Sequence, residues 1–301
     1  MVMGRITLLR VLIPTSLLVL AAISIAAEGP ARPLNNHPTW TPDGERIVFV
    51  SNRTGAENIY VMSVYGSDPI QLTDGPIRKT YPSVSPNGEH ITFITIEDRR
   101  FLISVMNSDG SSSKVIVNDG TSYEPRFSPD GDLLVYTSQR EENADIYLLN
   151  LETMEERCLV GWPETEGFPS FFPDGKTVLF QSRVDGFNQI FRVRLDGSHI
   201  TQITSGPFNS DYGHVSPDGT RIVFSSDESD PGNVDGREIY VMNIDGTQRI
   251  RLTRNSARDG YPKWSPDGKE IVFHATRVGH FEVYVMNSNG TGQMQLTGPK
   301  E

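Results

Sequence analysis

Residues 261–268 read Tyr261-Pro262-Lys263-Trp264-Ser265-Pro266-Asp267-Gly268, and Ile271-Val272-Phe273 follows two residues on. Proline presets the backbone of the first turn position, aspartate tolerates the second, and glycine accepts positive φ. Ser-Pro-Asp-Gly is therefore a tight hairpin joining the strand before it to the strand after it. The triplet recurs at 42–44, 129–131, 173–175 and 217–219, with Pro-Asn-Gly at 86–88, and the six prolines lie 44, 43, 44, 44 and 49 residues apart. Each copy is followed by a short apolar run, such as Ile47-Val48-Phe49 or Val178-Leu179-Phe180, and about ten residues later by a second, such as Ile59-Tyr60-Val61-Met62 or Val283-Tyr284-Val285-Met286. A second turn, Asp109-Gly110, Asp196-Gly197, Asp245-Gly246 or Asn289-Gly290, leads to a fourth strand, and most units end in Leu-Thr or Ile-Thr.

Each unit is thus a four-stranded antiparallel meander whose middle strands are apolar on both faces, as in sheets covered on both sides. Burying one large apolar side chain stabilises by roughly 1.5–3 kcal/mol, too little for a lone unit to offset its ordering entropy. Units of roughly 40–45 residues stacked face to face around an axis form a β-propeller. The sequence predicts an all-β, six-bladed propeller over residues 37–298, one repeat per blade. No spare fourth strand precedes blade one, so the ring is expected to close by apolar packing between blades one and six.

Composition agrees and excludes alternatives. The chain has 301 residues with 27 Gly and 20 Pro, which disfavours a helical bundle because both residues break helix interiors. Its net charge of -11 excludes nucleic acid as a partner, since that binding needs a basic face. A single cysteine, Cys158, rules out an intramolecular disulfide and a multi-thiolate zinc site; it falls in the fourth strand of the third repeat, where a small buried hydrophobe is expected. At the amino terminus Arg5 and Arg10 precede an apolar run from Val11 to Ile25 and then small residues. This is the pattern of a secretory signal peptide, residues 1–26, followed by a linker at 27–36. Cleavage after Ala26 moves the net charge from -11 to -13. A periplasmic or secreted monomer is expected, in contact with a membrane only if the signal segment is retained.

The pattern x-Pro-x-Trp-Ser-Pro-Asp-Gly, then Ile-Val-Phe, Ile-Tyr-Val-Met-Asn, Asp-Gly and Leu-Thr resembles the TolB-type propeller repeat. That repeat also occurs in the propellers of prolyl oligopeptidase and dipeptidyl-peptidase relatives. The Gly-His and Trp-Asp signatures of ordinary WD repeats are missing. TolB itself carries an amino-terminal α/β domain before its propeller, whereas only Ala27 to Asn36 separate signal and first blade here. The resemblance implies a propeller fold and docking of an envelope protein or peptide near the channel mouth.

Enzymatic and metal signatures are weak. There is no G-x-S-x-G elbow of the peptidase relatives, and the six histidines, His37, His90, His199, His214, His274 and His280, form no H-E-x-x-H or H-x-H motif. Asp227, Ser229, Gly232 and Glu238 fall on positions 1, 3, 6 and 12 of a calcium loop, but Pro231 occupies position 5 and a solvated acidic insertion is the expectation. No cofactor and no metal are expected. The loops opposite the Pro-Asp-Gly turns vary in length, and variable loops on a rigid scaffold are where binding usually sits. Two columns of residues are expected to border the channel on that face. The residue before the strand-one proline reads His37, Tyr81, Glu124, Phe168, Tyr212 and Tyr261, and the residue after it Thr39, Ser83, Arg126, Ser170, His214 and Lys263, with Gly213 replacing proline in blade five. The candidate partner-binding residues are His37, Tyr81, Glu124, Arg126, Tyr212, His214, Tyr261 and Lys263, a concave aromatic and charged set suited to a protein hot spot. Trp40 and Trp264 are expected in the core. A carbohydrate-binding or carbohydrate-cleaving propeller is the alternative, which needs a continuous aromatic-carboxylate cleft.

Overall fold

A computed structural model describes residues 33–66 and 68–298; the expected signal peptide lies outside the described residues. The fold is six four-stranded antiparallel sheets, each made of four strands consecutive in sequence. They span residues 35–71, 78–120, 122–160, 166–202, 210–251 and 259–295. The expected all-β six-bladed propeller is therefore observed, with blade one starting at Asn35, two residues before the position read from the repeats. Among the described residues the helical element is one 3-10 turn at Val234–Gly236, inside the long insertion of blade five.

The repeat residues are the residues that build each blade. In blade one the Thr41 hydroxyl donates to Asp43 (2.5 Å) and accepts from the Arg46 N–H (3.1 Å), and Asp43 accepts from the Glu45 N–H (3.0 Å). Ser85, Ser128, Ser216 and Ser265 repeat the arrangement at their own turns. Blade four has Phe172 in that place, and Thr177 bonds Asp174 from the far side instead (3.0 Å). The terminal Leu-Thr pair has a different task. Its threonine hydroxyl accepts the N–H of a residue near the start of strand three, in the pairs Thr73–Ile59, Thr204–Ile190, Thr253–Ile239 and Thr297–Val283 at 2.8–2.9 Å. A strand end that would leave a buried donor unpaired is satisfied this way.

Between blades lie six apolar clusters, one for each seam. The cluster joining blades six and one contains Trp40, Phe49, Tyr60 and Met62 on one side and Val272, Val283, Val285 and Leu296 on the other, all buried. Apolar closure is thus as expected, and it is supplemented by polar bonds. The Asn35 N–H donates to the Phe281 carbonyl (2.8 Å), the same bond that Lys79, Glu166 and Asp259 make to Glu57, Ala144 and Arg237 at other seams. The Asn35 amide also donates to Glu282 (2.7 Å), and the Trp40 indole to the Lys263 carbonyl (3.3 Å). Trp40 and Trp264 are core residues, as expected. Cys158 is not: it lies in the fourth strand of blade three as read, but the first three residues of that outer strand, Glu156, Arg157 and Cys158, are exposed and only Leu159 and Val160 are buried.

Candidate functional site

The innermost strand of every blade carries a bulge. Its register against strand two slips at the conserved proline, or at Gly213 in blade five. The residue just before the slip lies at positive φ in all six blades: His37 48°, Tyr81 53°, Glu124 59°, Phe168 52°, Tyr212 58° and Tyr261 57°. Few non-glycine residues adopt this conformation, so six at equivalent positions are a property of the repeat.

The rings of this first column meet. His37 stacks on Tyr81 at 4.0 Å between centroids and meets Tyr261 at 4.9 Å; Phe168 meets Tyr212 at 4.5 Å, and Tyr212 meets Tyr261 at 5.6 Å. Tyr81 of blade two also touches Tyr261 of blade six and Phe168 of blade four, which are not its neighbours in the ring. Such contacts exist only at the axis, so the first column closes the channel with five rings and one carboxyl. That carboxyl, Glu124, is buried, and its Oε2 accepts from the Phe168 N–H (2.8 Å) and the Thr137 hydroxyl (3.1 Å). Burial pushes its pKa up to about 7, against the pull of those two bonds and of Arg126 and Lys263.

The second column sits beneath this plug. Thr39, Ser83, Arg126, Ser170, His214 and Lys263 together line a cavity of about 260 Å³ whose rim includes Pro86, Pro129 and Pro173. An adjoining cavity of about 190 Å³ shares Thr39, His214 and Lys263 and is rimmed by Pro42, Pro217 and Pro266. All six turn prolines therefore ring one opening. Every second-column side chain is a hydrogen-bond donor and none is acidic. Arg126 donates to the Tyr261 hydroxyl and to the Pro125 carbonyl (3.0 Å). His214 Nδ1 accepts from the Trp264 N–H (3.3 Å), which leaves the ring proton on Nε2. Burial, then the charges of Lys263 and Arg126, hold the His214 pKa well below the usual imidazole range. Burial and Arg126 likewise hold Lys263 well below the ordinary amine value. His37 is pushed down to about 3, first by burial and then by Arg126, Arg258 and Arg78.

All eight candidate residues thus converge on the axis, but in two layers rather than at one mouth. His37, Tyr81, Glu124, Tyr212 and Tyr261 form the plug, and Arg126, His214 and Lys263 the cavity. The expectation that both columns border the variable-loop mouth is corrected for the second. Strand one runs from the variable-loop face to the Pro-Asp-Gly turn, so the residue after the proline is the nearer of the two to the turn face. The candidate set also omits His274, which stacks on Tyr261 at 5.8 Å and accepts from the His37 N–H (3.3 Å). It sits in strand two, where only the pairing register places it beside the axis.

The calcium-like loop is spoken for by the fold. Asp227 is buried, not solvated as expected, and accepts from the Asn209 N–H (2.6 Å) and side-chain amide (2.8 Å). Glu238 is buried against Arg251, Thr253 and Asn255. Among the described residues no group of three or more His, Cys, Asp or Glu side chains is arranged to hold a metal ion.

Fold and site together define a six-bladed propeller with a plugged axis and a blind, donor-lined cavity. The family described as TolB beta propeller domain matches residues 30–122, 81–235 and 216–300, and the chain belongs to that family. It is 34% identical over 117 residues to the protein TolB homolog of Chlorobaculum tepidum, a match covering 38% of this chain and 27% of that protein. Among solved structures, a putative TolB from Agrobacterium tumefaciens matches with a TM-score of 0.69 and 25% identity over 84% of this chain and 90% of the other. An oligogalacturonate lyase solved with manganese shares the fold at a TM-score of 0.61 and 18% identity, covering 88% of this chain and 77% of that one. The curated relatives it matches are spanned over less than two-fifths of their length.

Proposed function

We propose that this chain is an exported, non-enzymatic propeller that docks a protein or peptide partner in the cell envelope, as a TolB-like module, in the periplasm or outside the cell. The observation that carries the reading is the blind cavity inside the ring of Pro-Asp-Gly turns. A through-channel would serve passage; a pocket closed by packed rings on a rigid β scaffold serves to receive a projecting group. The turn face around it is built from short uniform hairpins, a firm rim that loses little entropy when a partner settles on it. The carbohydrate alternative is less well supported, because the aromatic rings are stacked on one another inside the plug rather than laid along an open cleft.

The test is capture from a cell-envelope extract with immobilised mature protein and two variants. Thr39→Trp fills the mouth of the cavity, and Glu141→Lys alters an exposed residue in a loop on the opposite face. The expected outcome is a partner retained by the wild type and by Glu141→Lys and lost, at least tenfold, with Thr39→Trp. Retention by Thr39→Trp together with loss by Glu141→Lys overturns the face assignment. Capture of no protein by the wild type overturns the docking role itself.

A further inference from the structure

We propose that the cavity inside the Pro-Asp-Gly ring is an anion socket that takes the carboxylate of one aspartate or glutamate side chain projecting from a partner peptide. The inference deepens the docking role and rests on it for the peptide, though not for the anion.

The lining chemistry selects the charge. Six donors face a cavity without one acidic side chain, in a protein whose net charge is -11. Among the described residues neither Arg126 nor Lys263 is held in an ion pair, while nine other pairs are formed across the molecule. Lys263 is buried and its Nζ lies over the Tyr261 ring, 5.1 Å from the centroid; the Glu124 carboxyl acts on it through space and forms no ion pair with it among the described residues. An anion in the cavity gives these donors an acceptor, and hydrogen bonds to an ionised acceptor are stronger than neutral ones. A cation finds no anionic ligand there.

The size and the charge count select a single carboxylate. The cavity of about 260 Å³ and its neighbour of about 190 Å³ open under one ring of prolines, room for one side chain and the peptide segment that carries it. Arg126 carries a guanidinium, whereas burial disfavours the charged forms of Lys263 and His214. A monoanion matches one fixed charge better than a dianion such as phosphate. Lys263, held below the ordinary amine value, and Glu124, pushed up to about 7, both feel the seated carboxylate, whose negative charge favours the protonated form of each. Binding therefore takes up protons, and affinity falls as pH rises.

Titration calorimetry at pH 7.5 tests this with a blocked hexapeptide containing one central glutamate, its glutamine twin, and acetate. The expected result is binding of the glutamate peptide at least tenfold tighter than of the twin, with a heat that varies with the ionisation enthalpy of the buffer, the sign of proton uptake. Lys263→Met should abolish the preference and reduce the proton uptake. Equal binding of the two peptides, no binding of either, or an unchanged preference in Lys263→Met overturns the socket. Acetate binding as tightly as the peptide overturns the peptide as its occupant. A captured envelope partner that Lys263→Met retains sinks the socket and leaves docking intact. A glutamate-selective socket in a protein that captures no partner does the reverse.

Discussion

At the residue scale, Glu124 is a carboxyl whose proton is held by burial while two hydrogen bonds and two nearby cations work to remove it. The native state holds that proton more tightly than the unfolded chain does, so this group's contribution to stability is complete below pH 4.5 and is lost as pH rises through about 7. A shift of that size is worth about 3 kcal/mol. His37 and His274 act in the opposite sense: the fold holds them neutral, first through burial, so their contribution is present above pH 6.5 and is lost as pH falls. Glu124→Gln keeps an acceptor for the Phe168 and Thr137 donors but cannot ionise. Denaturant unfolding at pH 5 and pH 8 should show the variant gaining about 3 kcal/mol on the wild type between the two, by linkage; a difference constant with pH refutes the buried titration. That Glu124 belongs to an axial column was legible from its place before the strand-one proline. Its burial was not, because the sequence shows a carboxylate among aromatics without showing that the aromatics close over it.

At the element scale, two motifs that look independent in sequence meet across every described seam where they occur. The glycine of the strand three to four turn lies against the preceding blade's Leu-Thr backbone: Gly66 on Leu296, Gly110 on Leu72, Gly246 on Ile203 and Gly290 on Leu252. The repeat spacing gave the strands and the turns because both are local chemistry, hairpin residues and apolar alternation. It did not give this contact, which joins residues about forty positions apart, or 230 apart at the closing seam, through backbone atoms that leave no compositional mark. Gly110 and Gly186 share φ 89°, so alanine carries the same backbone strain at both. A methyl group at Gly110 overlaps the Leu72 carbonyl oxygen, while one at Gly186 has nothing within 4 Å. Gly186→Ala should cost about 1–2 kcal/mol, and Gly110→Ala about 1–3 kcal/mol more, the range for overpacking. Equal losses of stability would mean that blades slide apart freely enough to accommodate the clash.

At the scale of the whole molecule the question is whether the ring behaves as one unit. Blade order follows chain order throughout, so five seams join blades that are covalently continuous, and the one between blades six and one is held, among the described residues, by side-chain packing and single hydrogen bonds. The local contacts at that seam are those of the others, down to the same backbone bond from the start of strand one. Two tryptophans allow a matched comparison. The Trp40 indole donates across the closing seam to the Lys263 carbonyl (3.3 Å), and the Trp264 indole donates across the seam between blades five and six to the His214 carbonyl (3.2 Å). Replacing either by Phe removes one buried hydrogen bond and part of an aromatic surface, for about 1–3 kcal/mol. Opening the closing seam separates blades without stretching a connection, so it is the local opening with the least to overcome. Native-state hydrogen exchange should therefore separate the variants. Trp40→Phe should speed exchange in Asn35–Trp40 and in the blade-six strands Glu270–Ala275 and Glu282–Asn287, and leave Leu133–Ser138 and Asp145–Asn150 of blade three at the rate set by global unfolding. Trp264→Phe should change protection evenly, through the global equilibrium alone. If both variants change exchange evenly in all six blades, the closing seam is as fast as the covalent ones and the propeller opens only as a whole.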